Sequence, residues 1–324
     1  MNSFVKVLAA GVVAAAALSA GQTAAQTVGI ATLPPGAINN VQAQAIAKVV
    51  QENSDLQMRV VTFNSPAAIM GATQAGQSEF SFTSNDEAGV AVEGLDEHKG
   101  KPMSDLRVAV RVFPFKVGIL VRNDSDIKTV ADLKGKRYPT GWQGFQQGIP
   151  LSNAQLATGG LSLDDMEGVP TANLIRAADD FKAGRLDATT FAVGAPKMAE
   201  IDASIPGGIR FLSFENTPET AAAMAAVRPE YHMAEQQPAP HLAGVIGPTT
   251  LMEYEIVVLT NKNVSDDIVY TLVKAVYENK ESLVAGHPSF NAMTQEGLAT
   301  PQPRVDYHPG AIKFFKEAGI WKGE

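Results

Sequence analysis

From Gln26 onward, short runs of β-branched and aromatic residues alternate with stretches whose apolar positions recur every three or four residues. The runs predict strands at Val28–Thr32, Met58–Phe63, Phe80–Thr83, Leu106–Phe113, Val117–Arg122, Arg137–Thr140, Ala188–Val193, Arg210–Ser213 and Glu255–Thr260. The stretches between them predict helices. Val41–Glu52 sets Val41, Ala45, Ile46, Val49 and Val50 on one stripe. Pro66–Ala75 ends at Gly76, Ser152–Thr158 ends at Gly159-Gly160, and Asp266–Ser282 carries Ile268, Leu272 and Val276 near helical spacing. Such alternation predicts an α/β fold with mostly parallel sheets. There is no repeat of fixed period and no low-complexity linker. Two domains in this chain would therefore share crossing strands instead of a tether.

Before Gln26 the pattern is different. Lys6 is followed by an apolar run from Val7 to Ala20 and by the small residues Thr23-Ala24-Ala25. This is the layout of a cleaved export signal over residues 1–25, and the run is too short for hydrocarbon, which needs roughly 20 residues. No later segment is long and apolar enough to span a membrane, and no Cys follows the cleavage position to carry a lipid. The expectation is an exported, periplasmic mature chain with no membrane span.

At the carboxyl ends of strands in an open α/β sheet, the next helix begins, and its first N–H groups lack intrahelical partners. Those groups and the helix dipole suit an anion. Five junctions have such chemistry. After Val28–Thr32, Asn39 or Asn40 can cap the following helix; after Met58–Phe63, Ser65 is a good cap and Pro66 a good first residue. Phe80–Thr83 runs into Ser84-Asn85-Asp86, and Ala188–Val193 into Gly194-Ala195-Pro196. Arg137–Thr140 opens into Gly141–Gly148, which packs Trp142, Phe145, Gln143, Gln146 and Gln147 into eight residues. That loop offers a flat apolar wall with neutral hydrogen-bonding groups. Taken singly, each junction also reads as plain capping, and the loop's aromatics also read as folding back onto the core. Arg111 and Lys116 flank Phe113-Pro114-Phe115, where a cation near a cleft would hold a carboxylate, or would be a solvated charge at a strand end.

Composition narrows the chemistry. Asp and Glu number 34 against 26 Lys and Arg, a net charge of −8, which disfavours nucleic acid, and no basic cluster offsets it. With no cysteine there is no thiolate nucleophile, iron–sulfur cluster or Cys-based zinc site. The five histidines are scattered and none forms a metal pair at helical spacing, so no metal and no cofactor are expected. Gly100-Lys101 and Gly135-Lys136 lack the rest of a phosphate loop, and neither a Gly-x-Ser-x-Gly elbow nor a Gly-x-Gly-x-x-Gly fingerprint occurs. Neighbouring acids such as Asp164-Asp165 and Asp179-Asp180 do not face one another on a regular element. Nothing here builds a catalytic centre, and a non-enzyme is expected.

Five stretches, in order, carry a family resemblance: Ala45–Lys48, Val130–Arg137 with its Asp-Leu-Lys-Gly-Lys core, Phe181–Ala188, Ser265–Ala275 and His308–Ala311. In this arrangement the chain resembles the TAXI family, the TRAP-associated extracytoplasmic solute receptors. The resemblance implies a two-lobe periplasmic binding protein fold (type II-like), with a ligand cleft between lobes joined by two crossing hinge strands. It implies a small organic anion as ligand, a carboxylate of amino-acid or 2-oxo-dicarboxylate type, and delivery to the membrane subunits of a TRAP transporter. Carried over by position, contacts come from Thr32 through Asn39 and Asn40, from Ser65, from Ser84, Asn85 and Asp86, from Gln143 to Gln147, and from Phe191 through Val193 to Gly194. Where the family has a Gly/Thr-rich first loop, this chain has Leu33-Pro34-Pro35-Gly36, so the scaffold matches more closely than the pocket.

The expected organisation is a signal peptide (1–25), lobe 1 from residues 26–117 plus 256–324, and lobe 2 from residues 118–255, hinged at Val117–Val121 and Glu255–Leu259. Two rivals share this scaffold. One is a secreted enzyme; the other is a ligand-sensing partner of a chemoreceptor.

Overall fold

The computed structural model describes residues 26–302 and 304–323. The export signal read in residues 1–25 lies outside them. The chain begins β1 (Gln26–Thr32), α1 (Ile38–Glu52), β2 (Leu56–Thr62), α2 (Pro66–Gln74), β3 (Phe80–Ser84) and α3 (Asn85–Glu93). A long strand, β4 (Leu106–Arg122), leads to β5 (Arg137–Thr140), α4 (Gly148–Ala157), β6 (Glu167–Pro170), α5 (Leu174–Lys182), β7 (Ala188–Ala192) and α6 (Pro196–Ser204). There follow β8 (Ile209–Phe211), α7 (Pro218–Val227) and β9 (His232–Gln236). A second long strand, β10 (Thr249–Asn261), returns to α8 (Asp266–Glu278), α9 (Lys280–Gly286) and α10 (Pro309–Glu317).

Most predicted elements form where the hydrophobic pattern put them. Helix α1 buries Ala45, Ile46, Val49 and Val50, the stripe seen in the sequence. Ser65 caps α2 by accepting from the Ala68 N–H at 3.2 Å, with Pro66 in the first turn. The sheets, however, are mixed. β1 pairs in parallel with β2 and β3, and β5 with β6, but β3–β10, β10–β4, β4–β7, β4–β8 and β10–β9 are all antiparallel. The reason is topological: β4 and β10 cross between lobes in opposite senses, and the strands at the crossing pair with one or the other.

β4 has 17 residues, roughly 55 Å at about 3.3 Å each, against the five or six of a usual strand. Its first part and the end of β10 lie with β3, β1 and β2 in one lobe; its second part lies with β7 and β8 in the other. β10 has its last β3 partner at Ile256↔Ser84, and β4 its first β7 partner at Val117↔Ala192. Between these points Pro114–Lys116 lies opposite Glu253–Glu255, where Glu253 still pairs with His232 of β9. Where the sequence predicts a break at Pro114, the strand runs on, with register shifts at Ile256/Val257 and Val258/Leu259 taking up the irregularity. The Glu255 N–H opposite Pro114 turns instead to Asn85 Oδ1, at 3.2 Å.

Candidate functional site

Between the lobes lies a narrow cavity of about 40 Å³. One wall is Leu33, Asn39, Pro66, Ile69, Phe82, Thr83 and Ser84; the facing wall is Phe145, Gln147, Leu151, Leu174, Thr190, Phe191 and Ala192. Phe115, Val117, Tyr254 and Ile256 of the crossing strands form the floor. Each wall is a set of junctions where a strand hands over to a helix. Asn39 is in the first turn of α1, Pro66 opens α2, Ser84 precedes α3, and Gln147 precedes α4. Through Leu33, Phe145 and Leu174 the cavity meets an outer vestibule that adds Pro34, Pro35, Asn64, Ile175 and Arg176.

Among the described residues, no Lys, Arg, Asp or Glu lines the inner cavity. The cations expected near it are spent at the hinge. Arg111 Nη2 lies 2.6 Å from Glu255 Oε2, and Lys116 Nζ 2.7 Å from Glu253 Oε2. His232 Nε2 shares Glu253 at 3.0 Å. The His232 pKa is raised, chiefly by that hydrogen bond, against the opposing effect of burial. Burial alone would raise the Glu253 carboxyl, but hydrogen bonds from His232 and Lys116 hold it below its usual range. The polar groups that remain are neutral. Gln147 Nε2 donates to Ser84 Oγ at 3.0 Å across the interface, and Gln155 Nε2 donates to Thr190 Oγ1 at 2.7 Å. Among the described residues, the side chains of Asn39 and Thr83 make no hydrogen bond.

The helix starts differ in charge. The first turn of α3 carries Asp86 and Glu87, so its positive end is answered from within; α1, α2 and α4 have no acid in their first turns. The three acid-free starts differ in what is already used: Ser65 caps α2, which opens on Pro66, the Gly148 and Ile149 N–H groups of α4 donate to the Phe145 and Gln146 carbonyls, and α1 has no side-chain cap.

The structure places Asn39, Ser84, Phe145, Gln147 and Phe191 on the cavity, and Gln146 on a second groove beyond Gln147. The others serve elsewhere. Asn39 and Asn40 do not cap α1: the cap position is Ala37, and Asn40 Nδ2 donates to the Leu33 carbonyl at 2.9 Å, pinning the loop. Ser65 is used by its own helix. Thr32 is fully buried in β1, and Val193 is buried with its N–H on the Lys116 carbonyl. Asn85 braces β10, and Asp86 is buried, accepting from the Tyr231 hydroxyl at 2.6 Å. Arg111 does not reach the cavity because Glu255 holds it, and Phe113 does not because it packs edge-on against Phe290 at 5.1 Å. Trp142 is fully buried and folds back onto the core under α4, while Gln143 is exposed. A Cβ on Gly148 would strike the Trp142 ring, so the loop needs glycine there. Gly194 has φ +78°, and a Cβ there would press on Leu242 at 3.1 Å and approach Ile38 of the opposite lobe.

Sequence reasoning missed the segment Arg228–Tyr231, which docks one lobe on α3 of the other. Arg228 Nη2 lies 2.7 Å from Asp96 Oδ2 and 3.6 Å from Glu87 Oε1, and Glu230 pairs with Arg304. Burial first, and the neighbouring Asp86 second, push the Glu87 carboxyl well above its usual pKa. The dense Arg-Pro-Glu-Tyr-His string after α7 is the one local signal that something specific sits there. It also missed Phe115 and Tyr254, aromatic floor residues hidden in strand patterns.

The sequence profile of the NMT1-like family matches residues 30–319. Among solved structures, a periplasmic transporter protein is 14% identical over 91% of this chain and 93% of its own, with a TM-score of 0.56. A binding-protein component of an ABC phosphonate transporter from Pseudomonas aeruginosa is 10% identical over 83% and 80%, with a TM-score of 0.54. The alkanesulfonate-binding protein of Xanthomonas axonopodis pv. citri, bound to MOPS, is 16% identical over 93% and 95%, with a TM-score of 0.51. At such identities the likeness is one of fold: two α/β lobes on crossing strands, the periplasmic binding protein architecture.

Proposed function

The chain belongs to the NMT1-like family, and from that premise we propose that it is an extracytoplasmic solute receptor. A small organic solute enters the cleft, bridges both lobes at the inner cavity, and favours the closed form by binding it more tightly than the open one. Lobe 1 is residues 26–117 plus 256–324 and lobe 2 residues 118–255. Residues 1–25 direct export to the periplasm, and the closed receptor hands its solute to a membrane transporter. No bond is made or broken. The observation that carries this reading is the cavity itself, walled by helix starts from both lobes over an aromatic floor.

The same walls define the solute. Without a lining cation, a dianion of the 2-oxo-dicarboxylate type would leave one charge unmatched, at a cost of several kcal/mol in a desolvated site. The fitting solute has an apolar or aromatic body against Phe82, Phe115, Phe145 and Phe191, and one head, a monocarboxylate or monosulfonate, at the helix starts. The alkanesulfonate-binding relative is named for a ligand of that outline. The sequence resemblance to TAXI receptors supports TRAP membrane subunits as the recipient, whereas one of the similar solved proteins is a binding-protein component of an ABC phosphonate transporter. Co-purification of the loaded receptor with each class of membrane partner separates the two.

The test is a thermal-shift screen of the purified protein against mono- and dicarboxylates and sulfonates of graded apolar size. A ligand at a hundred times its Kd adds about 2.7 kcal/mol of stability. Monoanions with apolar bodies should shift the melt and dianions should not. The reading fails if no monoanion shifts it, or if Gln147→Ala and Phe191→Ala both leave the affinity of a confirmed ligand unchanged.

A further inference from the structure

On the far side of Gln147 from the cavity lies the second groove between the lobes, of about 430 Å³. Glu87, Asp96 and Glu97 line it, and Arg228 is the one cation among its described lining residues. Behind it, at the end of the short helical turn Asp96–His98, sits His98, with a side chain 5% exposed. One donor atom from each of Glu87, Glu97 and His98 lies within 4.8 Å of the other two. His98 Nε2 is 3.7 Å from Glu97 Oε1.

Two of these side chains carry a buried polar atom with no hydrogen-bond partner, His98 Nε2 and Glu87 Oε1, the latter on a side chain 2% exposed. Arg228 Nη2, at 3.6 Å, is too far from Glu87 Oε1 to satisfy it. A buried polar atom left unpaired costs about 1–3 kcal/mol, so two in one cluster call for a partner. A hydrogen-bonding side chain or a cation supplies one. Imidazole nitrogen with two carboxylates is the donor set of a zinc-class ion, not of magnesium or calcium. Donors at about 2.0–2.2 Å around a tetrahedral ion stand roughly 3.3–3.6 Å apart. The His98–Glu97 pair, at 3.7 Å, is already near that spacing, and a Glu87 oxygen lies within 4.8 Å of both side chains.

We propose that Glu87, Glu97 and His98 bind a divalent transition-metal ion of zinc type in this groove, in competition with Arg228 of the opposite lobe for Glu87. Spacing along the chain concealed the set, because the ligands come from the first turn of α3 and from a turn beyond its end. The ion and the Arg228 guanidinium, 3.6 Å from Glu87 Oε1, are like charges beside one carboxylate, so metal binding and the inter-lobe contact of Arg228 oppose one another.

The test is calorimetric titration of the EDTA-treated full chain with zinc chloride in the absence of any organic solute, which keeps the outcome separate from the receptor reading. One saturable site is expected, weakened at least tenfold in His98→Ala and in Glu97→Gln, and tightened in Arg228→Gln. Glu97 has a side chain 22% exposed, so Glu97→Gln preserves the fold even where His98→Ala does not. Absence of a saturable site in the wild type, or wild-type affinity in Glu97→Gln, overturns the proposal. Unchanged affinity in Arg228→Gln overturns the competition.

Discussion

The two hollows on either side of Gln147 are cut from the same inter-lobe seam, yet they are opposite in chemistry. The inner cavity is walled by aromatic and aliphatic side chains and neutral hydrogen-bonding groups, with no charged residue. The outer groove gathers three carboxyl side chains around Arg228. The difference teaches that this seam separates two tasks. On the proposed reading, shape and helix starts serve solute selection on one side, while charge serves contact between lobes on the other. Arg111 and Lys116, near enough to spoil the neutrality of the cavity, are each held by a glutamate of β10. Cross-strand pairing at the hinge thus keeps the cavity uncharged.

The largest effect should come from the cavity side. Phe82 is fully buried in β3, lines the cavity, and belongs to the core of its lobe. Phe82→Ala should destabilise the protein by about 3–5 kcal/mol in urea titration, because the space it vacates cannot collapse against a strand paired on both sides. It should leave zinc affinity in the groove unaltered. If stability falls by less than about 1 kcal/mol, the cavity wall is not part of the packed core and the contrast loses its first term.

How much of this contrast the chain announces depends on range. The alternation of strands and helices, the Ser65 cap and the meeting of helix starts around one hollow follow from local pattern, and they were legible. So was Gln147, as part of a loop unusually rich in Gln and aromatic side chains. Local reasoning went astray wherever a partner distant in sequence decides a side chain's direction. Arg111 faces a glutamate that arrives on β10, Phe113 meets Phe290, and Asp86 waits for Tyr231. Trp142 shows the same: its burial depends on the bare face of Gly148 above it. The local pattern makes Asn39 and Asn40 caps because its apolar stripe begins at Val41, whereas Ile38 is buried and draws the first turn back.

The wall between the hollows is the next place to press. Gln147 Nε2 holds Ser84 at 3.0 Å, and the side chain is 5% exposed. Gln147→Ala removes the bond and opens the cavity toward the carboxyl groups of the groove. Stability should fall by about 1 kcal/mol, the usual net worth of such a bond. The affinity of an anionic ligand should fall further, and should become dependent on ionic strength where in the wild type it is nearly flat. A salt dependence identical to wild type would mean that the groove's charges do not reach the cavity even when the wall is gone.

The smallest effect tests the hinge pairs that keep the cavity neutral. Glu253 is shared by Lys116 and His232, and the His232 pKa is raised by its hydrogen bond to Glu253. A group whose folded pKa lies above its unfolded one stabilises most below the unfolded value, about 6.5 for histidine. Its contribution is then lost as pH rises through the folded pKa. The His232 side chain is 51% exposed, so solvent screening keeps the effect within the range of surface pairs, about 0.2–1 kcal/mol. His98, His287 and His308 have lowered pKa values, each chiefly from burial, and act with the opposite sign. The wild-type profile alone therefore mixes the two directions. The difference between wild type and His232→Gln cancels the buried three and isolates the hinge. That difference should favour wild type at pH 5.5 and shrink steadily toward pH 9, as read by urea midpoints at each pH. Ligand affinity should stay level over the same range, because Lys116 still holds Glu253 when His232 has lost its proton. An affinity that follows the His232 titration would show the hinge charge leaking into the cavity, and would join the two hollows that the structure keeps apart.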